Sequence, residues 1–285
     1  MAKLCVNIEQ LSDEHYNKLL VDMERTLLNA IADDTPLHVS WSGGKDSTAT
    51  VILLHEIGAK NVHISTVDIM YNDKISAVPE MQNFKEQASE TFKKWGYTVD
   101  FIKHPTKTYE SEYVHVITKS KVSERNGKIQ GAPIMGMCRF TGLKQALLKK
   151  ISKQYGDCIE VLGIASDEQQ RFNRKHFDGG NYISILAITH TTELMAKDLC
   201  RKYNLLSPFY DTGYKRDGCF FCPYSSIKQI KYRASQNPDV FRTWKEFLKL
   251  HLNDEHSSYS KKGNPNFNAQ HDIVDIINAI EEVLP

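Results

Sequence analysis

The stretch Val39-Ser40-Trp41-Ser42-Gly43-Gly44-Lys45-Asp46-Ser47 narrows the folds open to this chain more than any other. It sets two glycines between a short β-rich run, Leu37-His38-Val39-Ser40-Trp41, and a helical pattern from Asp46 to Ile57 that Gly58 can close. Adjacent glycines let a backbone turn sharply and approach an anion without a Cβ in the way. The helix that follows offers free N–H groups and the positive end of its dipole. Ser42 and Ser47 add hydroxyl donors and Lys45 a point charge, so the means of holding a pyrophosphate lie within one turn. Other Gly-rich motifs do not fit. A Walker loop would need four residues between Gly and Gly-Lys, and a nucleophile elbow would need Gly where Ser40 stands. His55-Glu56 has no second histidine at metalloprotease spacing.

Around this turn, helical and strand patterns alternate. Glu9 to Ile31 carries Leu11, Tyr16, Leu19, Leu20, Met23, Leu27, Leu28 and Ile31 at helical spacing. Val62–Val67, Thr98–Ile102 and Ile159–Ile164 read as further strands, and Met81–Trp95 and Thr141–Tyr155 as further helices. This order predicts an α/β fold: a Rossmann-like parallel sheet with helices on both faces. Residues 103–136 are less regular and read as an insertion. From about Ser225 the pattern is helical and polar, so the expected division is a nucleotide-binding α/β domain over 1–225 and a helical extension over 226–285.

Composition sets limits on function. A formal net charge of +1 gives no overall bias towards nucleic acid, so such a partner would need a local basic patch. Lys103, Lys107, Lys119, Lys121, Arg125 and Lys128, with Tyr109 and Tyr113 among them, form one candidate, diluted by Glu110, Glu112 and Glu124. No apolar run approaches the roughly 20 residues that span a bilayer, and Met1–Asn7 lacks a signal-peptide core. The expectation is a cytoplasmic protein without a membrane partner, in whose reducing surroundings six cysteines are free thiols, metal ligands or redox groups rather than disulfides.

The Ser42–Ser47 string resembles the signature of the PP-loop ATP pyrophosphatases, or adenine-nucleotide α-hydrolases. Three more stretches match in order and spacing. They are Met137-Cys138-Arg139-Phe140-Thr141-Gly142-Leu143-Lys144; Leu162-Gly163-Ile164-Ala165-Ser166-Asp167-Glu168 with Arg171; and Ser207-Pro208-Phe209-Tyr210 leading to Arg216-Asp217-Gly218-Cys219-Phe220-Phe221-Cys222-Pro223. Together they resemble the phosphoadenosine-phosphosulfate (PAPS) reductase-like branch, over about residues 36 to 235, and within it the cysteine-bearing members related to DNA phosphorothioation and to phage proteins. The resemblance implies an enzyme that adenylates an acceptor oxygen at the α-phosphate of ATP, with pyrophosphate leaving on Ser42, Gly43, Gly44, Lys45, Asp46 and Ser47, and with Mg2+ neutralising the phosphates. It implies site roles for Gly163, Glu168 and Arg171, with Lys45, Asp46, Glu168 and Arg171 as the catalytic set. Asp68, at the end of a strand, is a candidate contact for the adenosine or a metal. Two departures stand out. Ala165 replaces the usual Arg after Leu-Gly-Ile, and the Glu-Cys-Gly-Leu-His tail of PAPS reductases has no counterpart after Cys222, so thiol attack from such a tail is not expected.

Cys219 and Cys222 form a C-x-x-C, and Cys138 lies 81 residues before Cys219. Three thiolates from two segments suit an iron–sulfur cluster, while a structural zinc, a redox pair and ordinary thiols stay open for the same residues. Resemblance to sulfur-inserting relatives implies a [4Fe–4S] cluster on Cys138, Cys219 and Cys222, with one iron open for sulfur. The expected activity is an ATP-dependent, Fe–S-dependent sulfurtransferase acting on DNA, tRNA or a small acceptor, with a cysteine desulfurase as sulfur donor. The alternatives are a PAPS or adenylylsulfate reductase and a non-catalytic nucleotide-binding subunit with zinc. Cys5, Cys158 and Cys200 read as structural, though Cys158 or Cys200 could supply a fourth ligand.

Overall fold

The computed structural model describes residues 13–68, 70–76, 79–103, 107–111, 130–131, 137–138, 147–172, 181–212, 225–252 and 271–284. The chain divides into two compact units. The first comprises Met1–Val67, Asn83–Ile102 and Leu148–Arg216, and the second Asp68–Gln82, Lys103–Leu147 and Asp217–Pro285.

The first unit is built on a five-stranded sheet. Its strands are β1 (Leu37–Ser40), β2 (Val62–Asp68), β3 (Thr98–Lys103), β6 (Ile159–Val161) and β7 (Tyr182–Ile183), in the order β3-β2-β1-β6-β7. β1 runs parallel to β2 and to β6, and β6 parallel to β7. The chain therefore leaves β1 in one direction, through β2 to β3, and later returns to add β6 and β7 on the other side. The strand order reverses beside β1, and open α/β sheets bind ligands outside the carboxyl ends of strands at such a point.

Leu37, Val39, Val62 and Ile64 are almost fully buried, as expected of strands covered on both faces. The register partners His38 and His63 share the opposite face. Buried His38 resolves the apparent flaw in an apolar strand: its Nδ1–H donates to Glu160 Oε2 of β6 at 2.9 Å, and its Nε2 shares a hydrogen bond with the Ser65 hydroxyl of β2 at 3.0 Å. Tyr155 stacks on His63 with ring centroids 4.2 Å apart and donates its hydroxyl to Asp100.

Helix α1 (Asp13–Ala32) buries Tyr16, Leu20, Met23 and Leu27 and packs against β7 and the one-turn helix α4 (Ile185–Ile188). Helix α2 (Lys45–Glu56) packs against β1, α4 and α5 (Glu193–Lys202). It is buried almost all round, from Ser47 through Ile52 and again at Leu54, which places the turn before it inside a rigid frame. Its end is a Schellman motif: the Gly58 N–H bonds the His55 carbonyl, the Ala59 N–H bonds the Leu54 carbonyl, and Gly58 takes φ 77°. Helix α3 (Pro79–Lys94) sends Phe84 and Phe92 against Trp41.

Two elements differ in length from the sequence expectation. The strand expected to reach Ile164 ends at Val161, because the chain turns there to pass the start of α2. The helix expected over 141–155 is described from residue 147 and tightens to a 3-10 turn at Lys153–Tyr155.

The second unit contains a two-stranded parallel ladder, β4 (Gln130–Gly131) with β5 (Met137–Cys138). Its described residues also form α6 (Ile227–Gln236), α7 (Pro238–Leu250) and α8 (Ile273–Glu281). Helices were expected here, but their polar character is corrected. Phe241, Trp244, Leu248, Ile273, Ile276 and Ile280 form a core with Tyr71 and Tyr109, and Trp244 Nε1 donates to the Tyr109 hydroxyl at 3.1 Å. Capping boxes at Ser226 and Asp272 start α6 and α8. Among the described residues no helix is long and apolar enough to cross a membrane.

Candidate phosphate-binding site

The turn between β1 and α2 joins a left-handed glycine to a helix start that no side chain caps. Gly43 takes φ 85°, in the left-handed region where a Cβ would be strained. Gly44 is the N-cap of α2 and no side chain caps the helix. The N–H groups of Asp46 and Ser47 have no acceptor among the described residues, as a site for an external anion requires. The Lys45 N–H donates to the Tyr210 hydroxyl at 3.1 Å, and the Gly44 N–H to Ser42 Oγ at 3.2 Å. Ser42 and Ser47 hold their hydroxyl oxygens 3.0 Å apart, which closes the loop on itself. A Cβ on Gly44 would meet Ser42 Oγ at 3.2 Å and the Tyr210 hydroxyl at 3.4 Å.

Gly163 belongs to the same construction from the far side. A Cβ there would lie 2.8 Å from the Ser47 nitrogen, 2.9 Å from its Cα and 3.0 Å from the Asp46 carbonyl carbon. The chain leaving β6 thus runs directly against the first turn of α2, and only a residue without a side chain fits.

The charges around the loop are mostly negative. Lys45 Nζ lies 2.8 and 2.9 Å from the two Asp46 oxygens and 2.8 Å from Glu193 Oε2. Burial acts to lower the Lys45 pKa, but the hydrogen bonds and charges of Asp46 and Glu193 outweigh it and hold the ammonium above its ordinary value. Asp46 is also raised, first by burial and then by the charges of Glu193 and Glu168, against the opposing pull of Lys45. Each of the two shifts is consistent with a lysine surrounded by more carboxylate than it can neutralise. Glu168 binds Arg171 Nη1 at 2.6 Å across a 3-10 turn, Gln169–Arg171, that follows β6.

The sequence reading named Ser42, Gly43, Gly44, Lys45, Asp46, Ser47, Gly163, Glu168 and Arg171, and all belong to the first unit. Asp68 ends β2; its Oδ1 accepts from the Ser76 hydroxyl at 3.0 Å, while its buried Oδ2 has no partner among the described residues. Glu193 and Tyr210 received no role from the sequence, although each touches Lys45. Their signals were modest: Thr192-Glu193 opens a helix, with the Thr192 side chain accepting from the Met195 N–H, and Tyr210 closes Ser-Pro-Phe-Tyr.

Cys138 closes β5, and Cys5, Cys219, Cys222, Arg139, Lys144 and most of the 103–131 basic stretch lie outside the described residues. Among the described residues no group of three or more His, Cys, Asp or Glu side chains could hold a metal. Cys200 is fully buried; its Sγ donates to the Lys45 carbonyl at 3.3 Å, and burial pushes its pKa up to about 12. Burial raises Cys158 as well. Both stay protonated at neutral pH, in keeping with a structural role.

Residues 36–225 match the phosphoadenosine phosphosulfate reductase domain, which covers well over half of the chain. The chain belongs to this family. Its matched span holds the loop, Gly163, the Glu168–Arg171 pair and Tyr210. Two uncharacterized proteins of Methanocaldococcus jannaschii resemble it: MJ0973, 24% identical over 228 residues (77% of this chain, 49% of the relative), and MJ0066, 22% identical over 223 residues (75% and 42%). The chain thus spans less than half the length of either. Among solved structures, PAPS reductase from Candida auris shares 14% identity at TM-score 0.44, over 73% of this chain and 96% of that one. The U34-tRNA thiolase NcsA from Methanococcus maripaludis, solved with its [4Fe-4S] cluster, shares 15% at 0.45, over 95% and 80%.

Proposed function

We propose that this chain is an ATP-using enzyme that activates an acceptor by adenylation and releases pyrophosphate on the Ser42–Ser47 loop. The observation that carries this reading is the uncapped first turn of α2, framed by left-handed Gly43 and by Gly163 in backbone contact with it. An acceptor oxygen attacks the α-phosphorus of ATP, the bond to the bridging α–β oxygen breaks, and both electrons leave with pyrophosphate. Negative charge grows on that leaving group, where the Asp46 and Ser47 amides, the Ser42 and Ser47 hydroxyls and the Lys45 ammonium can meet it. Glu168 holds Arg171 in position to pair with phosphate oxygens, and Asp68 is the proposed adenosine or metal contact. Mg2+ bound with the nucleotide would supply further charge neutralisation.

The sulfur-transfer part of the reading rests on the family and on Cys138, Cys219 and Cys222. These three are the proposed ligands of an iron–sulfur cluster, which when bound would supply sulfur to displace AMP from the activated acceptor. DNA or tRNA is the proposed acceptor, and a cysteine desulfurase the proposed donor.

The test combines two variants. Lys45→Ala lowers ATP turnover by about 100- to 1000-fold, the loss typical of one removed donor at a developing charge. Cys219→Ala, purified without oxygen, loses the iron and acid-labile sulfide of the wild type yet still binds ATP. A wild type that holds zinc or no metal after attempted cluster reconstitution overturns the cluster, and ATP turnover unaffected by Lys45→Ala overturns the loop assignment.

A further inference from the structure

Lys45 does not wait with its ammonium open. Its side chain is only 11% exposed, and its donors are taken by Asp46, the next residue, and by Glu193, 148 residues away. The two carboxylates differ in kind. Asp46 is fixed to the loop it serves. Glu193 is carried in on a separate helix, α5, whose start is set twice: Asp167 Oδ1 accepts the Glu193 N–H at 3.1 Å, and the Thr192 hydroxyl accepts the Met195 N–H at 3.3 Å. Backbone anchoring thus aims the Glu193 side chain at Lys45, while that side chain remains 49% exposed. A half-exposed carboxylate can leave its partner and regain hydration at little cost, whereas the more buried Asp46, 25% exposed, cannot.

We propose that Glu193 is a built-in counter-anion of the phosphate loop, which an incoming pyrophosphate group must displace from Lys45 and which returns to Lys45 as that group leaves. This rests on the loop being the phosphate site. Glu193 then weakens ground-state affinity for pyrophosphate and speeds its release, a useful property where pyrophosphate is a product. Glu193 acts through Lys45 and is a positioning residue.

The test is calorimetric titration of inorganic pyrophosphate, with divalent cations chelated, into the wild type, Glu193→Gln, Glu193→Ala and Asp198→Asn. Asp198 lies on the same helix, 61% exposed and paired with Arg201, so its variant makes the same change in net charge away from Lys45. Both Glu193 variants are expected to bind pyrophosphate about two- to fivefold tighter than the wild type, as loss of a partly exposed ion pair allows, with the gain shrinking at high salt. Asp198→Asn is expected to bind as the wild type does. A gain in affinity is a change that structural damage does not produce. If the wild type binds and the Glu193 variants bind equally or more weakly, or if Asp198→Asn gains as much, the proposal is overturned and the loop reading survives. If no form binds pyrophosphate either with cations chelated or with Mg2+ present, the loop reading itself fails.

Discussion

At the scale of single residues, Lys45 is met both by its own turn and by side chains from far along the chain. Ser42, Gly43, Gly44, Lys45 and Ser47 sit in one turn, so their residue types alone suffice to propose an anion cradle. Tyr210 and Glu193 reach Lys45 across 165 and 148 residues, and no local pattern encodes such a meeting. Gly163 lies between these cases. The sequence singled it out, but the reason became clear only with the backbone of Ser47 and Asp46 packed where its side chain would be. Gly163→Ala therefore forces backbone apart at the loop. The expected result is a loss of about 1–3 kcal/mol in chemical denaturation, as for overpacking in a rigid core, together with weakened ATP binding. A variant that melts and binds as the wild type would show that the β6 exit and the loop are not locked together.

At the scale of elements, β1 was readable from its β-rich residue types and α2 from the Gly-Gly turn before it, with Gly58 marking where α2 stops. β7 has two residues, Tyr182 and Ile183, too few to show alternation, and it is a strand because β6 supplies its partner. His38 makes the same point in reverse. A charged-capable residue in the middle strand looks misplaced until Glu160 and Ser65 arrive from the strands on either side. Glu160→Leu removes one acceptor and leaves the buried Nδ1–H without a partner. Urea unfolding of that variant should show a loss of about 1–3 kcal/mol, and Glu160→Gln, which retains an acceptor oxygen, should lose less. Equal losses in the two would mean that the hydrogen bond across β1 and β6 contributes little to the sheet.

At the scale of the whole molecule, the α/β class follows from the alternation of elements, whereas the second compact unit does not, because three sequence segments far apart build it. Its core of Trp244, Phe241 and the α8 isoleucines joins Tyr71 and Tyr109 from earlier segments, and those contacts have no signature in any one window. Trp244→Ala removes the largest buried side chain there and the hydrogen bond to Tyr109. It should cost that unit about 3–5 kcal/mol, while pyrophosphate binding by the loop, which lies wholly in the first unit, persists. Loss of that binding together with the second unit would show that the loop's competence depends on both. The central claim concerns which bond of the nucleotide breaks. Phosphorus NMR of ATP turned over by the wild type, with candidate DNA and tRNA acceptors and an anaerobic sulfur source, reads it directly. The account predicts AMP and pyrophosphate, with both lost in Lys45→Ala; ADP with inorganic phosphate, or ATP left intact with every acceptor, would contradict it.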